Sequence, residues 1–123
     1  MATEPDFWGE LEVEDFRTPS TMLREQAALL APKMQYILEA KVETEVSGAY
    51  FTHSFLIVVP ALDNYVYELF KVRHQIDLYP LTILSDLRII DNEDHFADWL
   101  RGKLSSPQTR RIITNLLSQA KGA

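Results

Sequence analysis

The chain has 123 residues, a length that fits one domain and leaves little room for two, and its 46% hydrophobic and 24% charged residues are the composition of an ordinary globular protein. It has no cysteine, which excludes disulfides and thiolate zinc sites and fits a reducing cytoplasm. The net charge of −6 opposes loose binding to nucleic acid, no apolar run approaches the ~20 residues of a membrane helix, and the acidic N-terminus carries no signal-peptide pattern.

The charge is unevenly spread: −5 over residues 1–18, −2 over 19–90 and +1 over 91–123. Residues 1–18, "MATEPDFWGELEVEDFRT", read as an acidic-aromatic arm, in which acids alternate with Phe7, Trp8, Leu11, Val13 and Phe16. Two roles suit such a segment. Its aromatics can fold back on the core, or Trp8 and Phe16 can anchor a basic partner that the acids steer into place.

Residues 19–123 read as a single α+β domain. Thr18-Pro19 is a helix start, since threonine caps and proline suits the first helical position. Leu23, Ala27, Leu30 and Met34 follow at helical spacing, and Pro32 limits the helix, which is expected at about 19–32. Residues 35–47 switch to period 2 and predict a half-solvated strand, with Glu39, Lys41, Glu43 and Glu45 on its wet side. Ser47-Gly48-Ala49 is the turn.

"YFTHSFLIVV", residues 50–59, is the second strand, apolar on both faces in its second half. Pro60 ends it because proline has no amide for the ladder, and Asp63-Asn64 are turn formers. The third strand is "YVYELFKVR", residues 65–73. Unbroken alternation puts Tyr65, Tyr67, Lys71 and Arg73 on one face, a tyrosine-and-cation surface of the kind found in interface hot spots. Residues 78–90 suggest one broken or edge strand, constrained by Pro80. The period returns to 3.6 from Asp91, with Asp91 or Asn92 as cap, and Ser106-Pro107 starts a last helix. The expected order is α-β-β-β-(β)-α-α: an antiparallel meander of three to five strands covered by one N-terminal and two C-terminal helices.

Glu39-Ala40-Lys41 resembles the second half of the metal-dependent nuclease signature, in which a carboxylate holds magnesium and a lysine sits beside the attacking water. The other half is missing, because a helix precedes this strand. Glu39, Lys41, Glu43 and Glu45 are better explained as the solvated face of strand 1, open to cross-strand pairing with Lys71 or Arg73. His74, near Asp77 and Tyr79, offers a second candidate, a histidine oriented by a carboxylate for base chemistry. His53 lies among Phe51, Phe55 and Ile57 and reads as a core or rim histidine, or as the polar group of a pocket between sheet and helices. The α-β-β-β-α order resembles the double-stranded-RNA-binding fold, whose last helix starts with basic residues; the equivalent start here, "DNEDHFADW", is acidic.

No catalytic set, metal-ligand spacing or phosphate-cradling loop emerges, so no cofactor or metal is expected. The expectation is a cytoplasmic, non-catalytic protein-binding module: an adaptor, an antitoxin or immunity-type inhibitor, or an assembly subunit. The alternative is a small-ligand binder or enzyme using His74, Asp77 and Tyr79, or the Glu39/Lys41 pair. A basic protein partner suits the acidic balance, and an edge strand, the C-terminal helices or the arm offer routes to a homodimer. The candidate interaction surface is Trp8, Phe16, Tyr65, Tyr67, Lys71 and Arg73.

Overall fold

The computed structural model describes residues 5–13 and 17–123. Phe16, one of the expected anchors, lies outside the described residues. The elements are α1 (Pro19–Lys33), β1 (Glu39–Ser47), β2 (Tyr50–Val59), β3 (Tyr65–His74), β4 (Leu81–Ile83), β5 (Arg88–Ile90), α2 (Glu93–Leu104) and α3 (Pro107–Lys121). The strands form one antiparallel meander in the order β1-β2-β3-β4-β5. One helix precedes the sheet and two follow it, as the sequence predicts.

Local chemistry sets the boundaries. The Thr18 hydroxyl accepts from the Thr21 amide, Asn92 from His95 and Ser106 from Thr109, so each long helix satisfies an otherwise orphaned N–H. Glu93 and Asp94 sit in the first turn of α2 and Arg101 and Lys103 in its last, matching the helix dipole at both ends. The β1–β2 turn places Gly48 at φ +59°, a conformation that suits a residue without Cβ. Between β2 and β3, residues Pro60–Leu62 make one 3-10 turn. Asp63 and Asn64 then take left-handed backbone (φ 58° and 56°), which these two residue types tolerate better than most. This stretch is a chain reversal, as expected.

Three boundaries differ from expectation. β1 begins at Glu39 rather than residue 35, because Gln35 and Tyr36 both take positive φ and turn the chain out of α1. Residues 78–90 give two short strands, β4 and β5, that pair with each other through Leu81–Ile90 and Thr82–Ile89. In β3, the ladder to β2 shifts by one residue: Phe55 faces Phe70, but Leu56 faces Glu68. Leu69 is therefore the extra residue of a β-bulge.

The helices cover one face. α1 lies against β1 and β2, α2 touches both α1 and α3, and α3 reaches the Pro60–Leu62 turn. Under them, Phe55, Ile57, Val59, Phe70, Val72, Ile83 and Ile90 meet Leu23, Phe96, Leu100 and Leu116 in one apolar core. Phe55 and Phe70 stack at 5.2 Å, and Trp99 meets Phe70 edge-on at 5.0 Å. The opposite face carries Glu43, Glu45, Glu68 and Arg73, all exposed. Leu56 also points that way yet is buried, because it sits directly between Lys41 and Glu68, whose stems can cover it.

Candidate functional site

Because a bulge adds one residue, it inverts the face assignment of everything beyond it. Tyr67 is opposite Ile57 and Tyr65 opposite Val59, so both tyrosines follow the helix-covered face. Lys71 and Arg73, opposite Ser54 and Thr52, lie on the open face. The expected tyrosine-and-cation surface is thus split between the two sides of the sheet. Tyr67 is half-buried against the core, whereas Tyr65, near the end of the sheet, is exposed. Arg73 instead stacks its guanidinium over Tyr50, 5.2 Å from the ring centre, and Lys71 pairs with Glu68 at 3.3 Å.

The pairing expected between the acids of β1 and Lys71 or Arg73 does not form, since β2 lies between those strands. Lys41 pairs with Glu43 at 3.2 Å on its own strand. Glu39 and Lys41 share a shallow hollow on the open face with Val58, Asn64 and Val66, which adds no second carboxylate. Among the described residues, no group of three or more His, Asp or Glu side chains could hold a metal ion.

The most ordered polar feature is a buried histidine pair on the helix-covered face. His53 on β2 and His74 at the end of β3 are 4% and 7% exposed, and their Nε2 atoms lie 2.8 Å apart. The Gln75 carbonyl can only accept, so His74 Nδ1–H donates to it at 2.6 Å. In the neutral ring His74 Nε2 is then an acceptor, and His53 Nε2–H donates to it. His53 Nδ1 in turn accepts from the Thr44 hydroxyl at 2.9 Å, and the Thr44 oxygen accepts from the Arg24 guanidinium at 3.4 Å. Every bond in the chain Arg24–Thr44–His53–His74–Gln75 runs in one direction. Burial first, then His74 and Arg24, push the His53 pKa down from 6.5 to about 4. His53 is therefore neutral near pH 7.

Both ring nitrogens of His74 are engaged by His53 and Gln75, so Asp77, which is exposed, does not orient it. Tyr79 packs against the core with its hydroxyl buried and without a hydrogen-bond partner among the described residues. Burial, with Glu93 nearby, raises its pKa to about 12. His74, Asp77 and Tyr79 thus do not form one hydrogen-bonded set.

A cleft of about 680 Å³ lies between α1, the α2–α3 pair and the sheet, where the sequence offered a pocket, but its cationic lining was not foreseen. Its floor includes Met22, Leu30, Met34, Phe55, Ile57 and Leu69. Its charged lining residues are Arg17, Lys33, Arg101 and Arg110, and no acid among the described residues joins them. Arg17 pairs with Glu25 at 2.7 Å and Arg101 with Asp98 at 3.0 Å. Lys33 and Arg110 have no carboxylate within 4 Å among the described residues. His53, the expected polar group of such a pocket, is not part of the lining. The available signal was the placement of single cations beside the apolar stripes of three different helices, which only the tertiary packing brings together.

The arm is the other feature that leaves the core. Phe7, Trp8, Leu11 and Val13 are 92%, 78%, 70% and 99% exposed, and Asp6, Glu10 and Glu12 between them are also exposed. No helix among the described residues is long and apolar enough to cross a membrane. Comparison with protein-family models, curated proteins and solved structures finds no match to this chain.

Proposed function

We propose that this chain is a non-catalytic protein-binding module, working as an adaptor, an antitoxin or immunity-type inhibitor, or an assembly subunit, and that its arm is the docking segment. The observation that carries this reading is the exposure of Phe7, Trp8, Leu11 and Val13 in one nine-residue stretch, residues 5–13, that also holds Asp6, Glu10 and Glu12. Large aromatics concentrate binding energy when they enter a partner's pocket, while rim charges set the rate and choice of encounter. Leaving four such side chains in water has no benefit for the isolated fold. The matching surface on a partner is apolar and basic, which agrees with the net charge of −6.

The test is affinity capture from a native host extract, comparing the wild-type chain with a Phe7→Ala/Trp8→Ala variant. Both positions are exposed, so the variant keeps its thermal unfolding. The expected result is a near-stoichiometric partner captured by the wild type, lost with the variant and weakened by salt. An identical set of captured proteins for both chains contradicts the reading.

A further inference from the structure

The surface that the arm requires, apolar within and basic at the rim, is present on the chain itself. The cleft between α1, α2, α3 and the sheet has an apolar floor and four cations around it, with no acid among the described residues that line it. The arm carries three acids and four exposed apolar side chains within residues 5–13. A volume of about 680 Å³ is in the range that accommodates large side chains and ligands. The two features are also close in sequence, since Arg17 lines the cleft and the described arm ends four residues before it, at Val13. Yet the arm does not occupy its own cleft: Phe7 and Trp8 are in solvent.

We infer that the cleft of one chain receives residues 5–13 of a second copy, so that two chains exchange arms about a two-fold axis. Such a contact is isologous: arm to cleft and cleft to arm, each made twice, which closes at the dimer. Phe7 and Trp8 enter the apolar floor, and Glu10 and Glu12 face Lys33 and Arg110, the two rim cations with no carboxylate within 4 Å among the described residues. This rests on the reading of the arm as a docking segment and names one partner for it.

A charge exchange tests the inference with full-length chains. One variant carries Lys33→Glu and Arg110→Glu, the other Glu10→Lys and Glu12→Lys. All four positions are exposed, and thermal unfolding verifies that each variant is folded. Sedimentation of the wild type is expected to show a dimer that dissociates as salt rises. Each variant alone is expected to sediment as a monomer, its dimerisation weakened at least tenfold, because its arm and cleft now repel. Mixed one to one, the two variants are expected to restore the dimer, since each arm then meets a cleft of opposite charge.

A wild type that stays monomeric at every concentration overturns the exchange, including the case in which Trp8 is shielded within a monomer. A dimer that persists in both variants alone also overturns it, because it forms elsewhere. So does oleate that binds the wild type without dispersing the dimer, which gives the cleft to a small amphipathic anion. If the wild type is monomeric but the Phe7→Ala/Trp8→Ala variant still loses its captured partner, only self-exchange fails and the docking role of the arm stands.

Discussion

His53 Nε2 and His74 Nε2 lie 2.8 Å apart beneath the helices, joined by a single proton. Two imidazolium rings cannot face each other at that distance, because both nitrogens would carry hydrogen. The contact therefore leaves room for at most one added proton, and burial opposes its uptake on His53.

Stability follows from the His53 shift. The unfolded chain takes up a proton on this side chain near pH 6.5, whereas the folded chain resists until about pH 4. Between those values the unfolded state binds more protons, so stability is full above pH 6.5 and falls as pH is lowered. The full window is worth about 3 kcal/mol. Urea unfolding measured from pH 7.5 to pH 5 is expected to show about 2 kcal/mol of this loss, and His53→Ala is expected to flatten the slope by one proton. At pH 7.5 the same substitution leaves His74 Nε2 buried without its donor and costs about 2 kcal/mol or more. A slope unchanged by His53→Ala contradicts the assignment.

Tyr79 gives a prediction of opposite sign. Its buried hydroxyl has no partner among the described residues, an arrangement that costs roughly 1–3 kcal/mol. Tyr79→Phe removes the hydroxyl and keeps the ring, and is expected to raise the thermal midpoint. With a folded pKa near 12 against 10 unfolded, the wild type loses stability as pH rises between those values. The phenylalanine variant is expected to lose that alkaline component. A lower midpoint for Tyr79→Phe contradicts this account of the side chain.

The bulge at Leu69 separates residues that alternation would unite. Arg73→Ala removes the stack on Tyr50 at an exposed site and is expected to cost about 0.5–1 kcal/mol. Tyr67→Ala, on the other face against the core, is expected to cost about 2 kcal/mol or more. Because the two side chains lie on opposite faces without a shared partner, their effects are expected to add within about 0.5 kcal/mol in the double variant. A coupling well above that returns them to one surface.

What the sequence made legible was what short-range chemistry decides. Period-2 alternation placed β2 at residues 50–59 without error, and Thr18-Pro19, Asn92 and Ser106-Pro107 marked three helix starts. The rest depended on longer-range register. Nothing in "YVYELFKVR" signals that Leu69 is an extra residue, since a bulge is a property of two paired strands. His53 and His74 are 21 residues apart, and their contact follows only from the β2–β3 register. Gln35 and Tyr36 take positive φ although neither residue type favours it, so the start of β1 was read four residues early. The cationic rim of the cleft is invisible for the same reason: Lys33, Arg101 and Arg110 come from three helices and meet only in the packed fold.

The arm is most directly examined through Trp8, by the fluorescence of a full-length Trp99→Phe chain in which Trp8 is the sole indole. An arm available for docking predicts solvent-exposed, readily quenched emission in dilute protein that moves to shorter wavelength as a partner, including a second copy, is added. Short-wavelength, quencher-resistant emission that is already present in dilute protein and independent of concentration would contradict it, because the arm would then be packed on its own domain.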